Sequence, residues 1–191
     1  KYCLAEAGIG LAEVTHVAIN QDSKANLWKK IGYTLAKRPD LGMVMDRIKN
    51  NRERANVRNE LTQTVCGSFV GEVHEVEHHL AHASSAYHLS GFKEKTAIVG
   101  IDGKGEYATT FFGYGENGKI HKIKEFYDPD SLGGMYGAIT EYLGSEMLDG
   151  EFKVMGMAPY GDASKYDLSR LVTFENGNLE VNTKLVNVVG L

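Results

Sequence analysis

The sequence predicts an α/β fold, and three observations carry that prediction. Short apolar runs of strand character, at 15–19, 70–77 and 96–101, are interleaved with stretches of helical character at 24–37, 41–62 and 78–89. Two Asn-Gly pairs, at 117–118 and 176–177, sit between strand-like runs, which is the strongest short-range signal for a β-hairpin. The composition is that of an ordinary globular protein: 42% hydrophobic residues, three prolines and a net charge of −4 over 191 residues.

Taken in order, residues 1–8 read as the end of a helix, and Thr15-His16-Val17-Ala18-Ile19 as a strand closed by Asn20-Gln21-Asp22-Ser23. The helical stretches 24–37 and 41–62 part at Arg38-Pro39-Asp40, because proline disfavours helix in the residue before it and suits the first turn of the next helix. Residues 70–77 read as a strand running directly into the helix at 78–89, whose alanines and serines permit close backbone packing. The run 96–101 is apolar throughout, as expected of a fully buried strand. It delivers Asp102 to the strand's carboxyl end, where open α/β sheets place their ligands. Residues 107–112 and 120–126 follow as antiparallel strands joined at Asn117-Gly118. Ser131 is a good N-cap for a helix that stops at Gly144, with Gly133, Gly134 and Gly137 offering a small-residue face for close packing.

Chemistry concentrates in the helix at 78–89, since three of the seven histidines, His78, His79 and His82, fall within five positions. On a helix His78 and His82 share a face, as do His79 and His82, so either pair can present two imidazoles to one cation. Asp102 adds an oxygen donor. Two histidines with one carboxylate suit a borderline divalent ion such as iron, zinc or manganese, and they leave coordination positions open for substrate. The turn Asp102-Gly103-Lys104-Gly105-Glu106 lies between strands, and its glycines let backbone N–H groups approach a phosphate or a metal-bound anion. Gly103, Gly105 and Glu106 are therefore candidate cofactor-binding residues. Lys153, within Glu151-Phe152-Lys153-Val154-Met155-Gly156-Met157-Ala158-Pro159-Tyr160-Gly161, is a candidate partner for an anion. His16, His74, His88 and His121 read as ordinary side chains.

Other features bound the function. No apolar run reaches the length of a membrane span and no signal-peptide pattern opens the chain, so a cytoplasmic protein with no membrane partner is expected. Cys3 and Cys66 are far apart and are expected to be buried reduced thiols. Residues 29–58 carry nine Lys or Arg against three acids, a local +6 that leaves −10 elsewhere. Without interleaved aromatics this reads as a solvated helical face rather than a nucleic-acid surface. The opening at Lys1, as if within a helix, and the close at Gly190-Leu191 without a final element read as an excerpt of a longer protein.

Five motifs then act together: His78-His79-x-x-His82-Ala83-x-Ser85-Ala86, Asp102-Gly103-x-Gly105-Glu106, Ser131-Leu132-Gly133, Thr140-Glu141-Tyr142-Leu143-Gly144, and Lys153-Val154-Met155-Gly156-Met157-Ala158-Pro159-Tyr160-Gly161. In this order and spacing they resemble the O-carbamoyltransferases of nodulation and antibiotic biosynthesis, from the start of the chain to about residue 162. The resemblance implies part of an actin-like, sugar-kinase-like (ribonuclease H-like) fold, a mixed sheet flanked by helices. It also implies a carboxy-terminal adenylate-forming region that turns carbamoyl phosphate and ATP into carbamoyl-adenylate. The carbamoyl group then passes to a hydroxyl of a small-molecule or sugar acceptor at a metal site, with iron the first choice of metal.

Residue by residue, the resemblance maps metal ligands onto His78, His82 and Asp102 and leaves His79 as a neighbour; Lys153 is the candidate for offsetting charge on the phosphate. It makes residues 1–191 a fragment of the amino-terminal carbamoyltransferase domain, without the opening strand, the second half of the fold or the adenylate-forming region, and therefore inactive alone. Gly134 and Gly137 stand where the family more often has bulkier or hydroxyl residues, and Met147-Leu148-Asp149 replaces a polar stretch, departures that bear on the acceptor pocket. Two further readings are a threonylcarbamoyl-type transferase acting on transfer RNA through residues 29–58, and a non-catalytic actin-like module that binds nucleotide or metal.

Overall fold

A computed structural model of the protein describes residues 1–22, 24–37 and 57–188. The chain divides into two compact units, Lys1–Glu77 and His78–Leu191.

In the first unit, α1 (Tyr2–Ala7) ends at Gly8, whose φ of 65° is a left-handed cap that glycine adopts without strain. A short 3-10 turn follows at Leu11–Glu13, where the Glu13 carboxylate accepts the Gly10 N–H at 2.8 Å. Then come β1 (His16–Ile19), α2 (Leu27–Lys37), α3 (Val57–Val65) and β2 (Glu72–Glu75). The helix expected at 41–62 lies partly outside the described residues, as do the break at Pro39 and most of the basic stretch 29–58.

Strands β1 and β2 pair in parallel, with His16 opposite Glu72 and Ala18 opposite His74. Hydrogen bonds close the ladder at both ends, from Glu72 N–H to the Thr15 carbonyl at 2.8 Å and from Val76 N–H to the Ile19 carbonyl at 2.9 Å. The Arg58 guanidinium, on α3, donates to the Phe69 and Gly71 carbonyls at 2.9 and 2.7 Å, which holds the chain as it enters β2. Gly71 is required there, because a Cβ would lie 2.4 Å from the Thr15 carbonyl oxygen.

The second unit begins with α4 (His78–Tyr87) and continues through the meander β3 (Thr96–Ile101), β4 (Ala108–Glu116) and β5 (Lys119–Tyr127). After it come α5 (Leu132–Tyr142), α6 (Glu151–Met157) and the hairpin of β6 (Val172–Glu175) and β7 (Asn178–Val181). Both Asn-Gly turns have positive φ at both residues, 52° and 72° at Asn117-Gly118 and 51° and 73° at Asn176-Gly177. This is the turn whose twist matches a right-twisted hairpin.

Strand β4 is central in its sheet, with Ala108, Thr109, Thr110 and Phe111 all buried, and a separate hydrophobic cluster of Val181, Val186 and Val188 packs with Met135, Ala138, Leu171 and Val172. Helix α4 lies on this sheet through two ring contacts. Tyr87 covers Gly115, where a Cβ would be 2.3 Å from the ring, and the His79 ring lies 6.1 Å from that of Phe111. Phe111 in turn covers its register partner Gly100.

Three expectations need correction. Strand β3 is not fully buried: it is an edge strand whose residues alternate in exposure, and Val99 is 58% exposed. Parallel and antiparallel pairing do not share one mixed sheet among the described residues; they occur in separate small sheets. Cys3 and Cys66 are free thiols but exposed, Cys66 lying just past the end of α3.

Candidate metal centre

Helix α4 buries the stripe His79, Ala83 and Tyr87, spaced by four residues, against the sheet. This places His78 and His82, one position earlier in the same repeat, at the rim of the buried face. Asp102 meets them there from the end of β3. The Nε2 atom of His78 lies 2.9 Å from Asp102 Oδ2 and 3.0 Å from His82 Nε2, and His82 Nε2 lies 3.5 Å from Asp102 Oδ2. Two ligand atoms about 2.1 Å from one ion are about 3.0 Å apart at a right angle and about 3.4 Å apart at the tetrahedral angle. The three donors therefore fit one first-row divalent ion, and their nitrogen and oxygen chemistry suits iron, zinc or manganese.

Of the two histidine pairs that helical spacing allows, the structure thus brings the pair His78 and His82 to Asp102. His79 is 1% exposed, with its Nε2 3.9 Å from Asp102 Oδ2, and lies behind the other two. Removal from water pushes the Asp102 carboxyl up. The Gly103 N–H, a hydrogen bond from His78 and the charges of His78 and His79 outweigh this and hold it below the ordinary aspartate value of 3.8. Asp102 is therefore a carboxylate, the form a cation needs.

The turn after Asp102 shapes this corner. Glu106 accepts the His78 N–H with both carboxylate oxygens at 3.2 Å, capping the N-terminus of α4 where negative charge is favoured. A Cβ at Gly105 would be 3.2 Å from His78 Cβ and 3.4 Å from His79 Cε1, so glycine lets the turn approach the histidines. The Gly105 N–H donates to the Ala108 carbonyl at 2.9 Å, and the Gly103 N–H donates to Asp102 Oδ1 at 2.7 Å. Space is open beside the Gly103 Cα.

Lys153 is not joined to this group by any hydrogen bond or ion pair. It is exposed on α6, with its ammonium 5.8 Å from the centroid of the Phe152 ring.

Several positioning residues were not legible as such. Ser131 Oγ donates to the Gly103 carbonyl at 2.6 Å and the Asp102 carbonyl at 3.2 Å while accepting the Gly134 N–H at 2.9 Å. Its sequence signal was a helix N-cap, and the same hydroxyl anchors the turn that carries Asp102. Gly133 permits that contact, because a Cβ would lie 2.5 Å from the Asp102 carbonyl carbon. Lys104 ties the turn to the end of β5 through a half-buried ion pair with Asp128 at 3.0 Å. His16 and His74, read as ordinary, converge with Glu72. His121 stacks on Tyr114 at 4.8 Å and His88 lies 5.2 Å from the Tyr87 ring.

A groove of about 240 Å³ runs between α4 and β3, walled by Ala83, Ala86, Ile98 and Ile101, with His82 and Asp102 in its lining. The group of His78, His82 and Asp102 can therefore be reached from outside through this groove. No helix among the described residues is long and apolar enough to cross a membrane.

The sequence is 31% identical over 175 residues to the uncharacterized protein sll1178 of Synechocystis sp., covering 87% of this chain and 28% of that protein. It is 44% identical over 91 residues to the nodulation protein NolNO of Sinorhizobium fredii, covering 48% of this chain and 13% of that protein. To the nodulation protein NolO of Bradyrhizobium diazoefficiens it is 41% identical over 91 residues, 48% of this chain and 16% of that protein. The chain thus spans less than a third of the length of these relatives. The family model for the carbamoyltransferase N-terminus matches residues 1–187, a span that takes in the histidine helix, the Asp-Gly turn and the serine-capped helix that anchors it, and the chain belongs to that family.

Proposed function

We infer that this chain is the part of a longer O-carbamoyltransferase that holds a divalent metal ion at the carbamoyl-transfer site. The observation that carries the reading is the group His78, His82 and Asp102, with ligand atoms 2.9, 3.0 and 3.5 Å apart, in a member of the carbamoyltransferase family. In this reading the fold completes as an actin-like, ribonuclease H-like domain in the cytoplasm. An adenylate-forming region of the same protein converts ATP and carbamoyl phosphate to carbamoyl-adenylate, and the acceptor is a hydroxyl of a small molecule or sugar.

The chemistry supplied by a bound iron, zinc or manganese ion is polarisation of the carbamoyl carbonyl. His78 and His82 offer neutral ring nitrogens and Asp102 offers its carboxylate. His79 and Glu106 fix the helix that carries the histidines, and Ser131 fixes the turn that carries Asp102. Gly103 and Gly105 keep side chains out of the corner where the adenylate phosphate approaches, and the space beside Gly103 supports that role. Glu106 is the third residue of this cofactor-binding turn. Lys153 has its ammonium free of any ion pair among the described residues, which leaves it available to offset phosphate charge.

The test is elemental analysis of the anaerobically purified whole protein beside His78→Ala and His82→Ala variants. Near-stoichiometric metal that is lost in both variants, together with loss of carbamoyl transfer, is the expected result. Metal content indifferent to both changes rejects the mechanism.

A further inference from the structure

We propose that His16, Glu72 and His74 form a second divalent-cation site of the zinc class, lying across the β1–β2 pair and separate from the ligands used above. The parallel register assembles it. His16 is opposite Glu72, and His74 is two residues along the same strand as Glu72, so all three project from one face of the ladder. His16 Nδ1 and His74 Nε2 are 2.9 Å apart, and Glu72 Oε2 lies 3.9 Å from the first and 3.8 Å from the second.

The nitrogen spacing is the right-angle separation of two imidazoles bound about 2.1 Å from one ion. The carboxylate is too far from either ring for a hydrogen bond, yet it needs to close by only a few tenths of an ångström to reach the same ion, a small torsion for an exposed side chain. Two imidazoles and one carboxylate are a donor set for borderline first-row ions rather than for magnesium or calcium.

The site is built on backbone rather than on a loop. Ladder hydrogen bonds at both ends hold β1 and β2 in register, and Arg58 clamps the entry to β2, so the three ligands are brought together before any ion arrives. His16 and His74 are 58 positions apart in the chain. An ion held by both strands closes that long segment, where a cross-link removes most entropy from the unfolded chain. The ion thus acts as a clip on the parallel pair, and the coordination positions left over face solvent.

Zinc binding by the whole protein is measured by equilibrium dialysis in the His78→Ala/His82→Ala background, where the other site cannot contribute. One equivalent of zinc is expected there, falling to none when His16→Ala and His74→Ala are added, and Glu72→Gln weakens binding by at least about 10-fold, the least that even loss of an outer-shell partner costs. All these side chains are exposed, so the variants are expected to keep the parent's circular dichroism; Glu72→Gln, which preserves shape, provides the result should a histidine variant fail to fold. No bound zinc in the parent background, or zinc unaffected by Glu72→Gln and by the histidine changes, overturns the proposal and leaves an imidazole pair joined by an N–H···N hydrogen bond. Either outcome is independent of whether His78 and His82 bind metal.

Discussion

Asp102 concentrates the chemistry of the main site in one side chain, since its Oδ2 faces His78, His82 and His79 while its Oδ1 accepts the Gly103 N–H. Its carboxyl is held below its ordinary value of 3.8, so the folded state binds its proton less readily than the unfolded chain does. The stability this contributes is fully present above that ordinary value and is lost as pH falls through the lowered one. The melting-temperature difference between wild type and Asp102→Asn, measured with chelator present, is therefore expected to shrink as pH falls below about 4. With metal present, the same variant should weaken binding by more than about 100-fold, beyond the range seen for outer-shell changes. At Gly105, a Cβ 3.2 Å from His78 Cβ would push the turn off the helix, so Gly105→Ala is expected to lower metal affinity more than it lowers stability. Isothermal titration beside thermal melting separates the two effects.

At the scale of elements, the position of α4 decides where both histidines point, and that position is set by an aromatic ring lying on glycine. Tyr87 is buried over Gly115, so Tyr87→Ala removes a large ring from the helix–sheet contact and should cost about 3 kcal/mol by the scale of large-to-small core changes. Gly115→Ala forces a methyl into the same ring and should cost about 2 kcal/mol through overpacking. Denaturant unfolding checks both changes. Helix α5 contributes through its first residues. Ser131→Ala removes an N-cap worth about 1 kcal/mol and also frees the Asp102–Gly103 turn, so metal affinity should fall together with stability. A loss of stability alone would make Ser131 a cap and nothing more.

At the scale of the whole molecule, His78, His82 and Asp102 belong to the unit His78–Leu191, and the histidine–glutamate group belongs to the unit Lys1–Glu77. Among the described residues of the first unit the buried apolar side chains are Leu11 and Phe69, and the Arg58 clamp holds the chain beside Phe69. Arg58→Ala is expected to speed amide hydrogen exchange at Glu72–Glu75 by releasing the chain that feeds β2, and unchanged exchange there would assign the clamp no such role. What was legible in the sequence is what neighbouring residues decide among themselves. The Asn-Gly pairs made both hairpins because only residues tolerant of positive φ fit those turns, Ser131 capped its helix, and four-residue spacing aligned His78 with His82. The exposure of Cys66 and of one face of β3 was not legible, because burial depends on which elements lie against a residue rather than on its own apolarity. The sequence by itself therefore determined the turns, the caps and a choice of two histidine pairs. Only the tertiary structure decided that the stripe of His79, Ala83 and Tyr87 lies on the sheet and leaves His78 and His82 to Asp102. It alone also put His16 beside His74, because the two strands lie far apart in the chain and only their pairing decides which residues stand opposite.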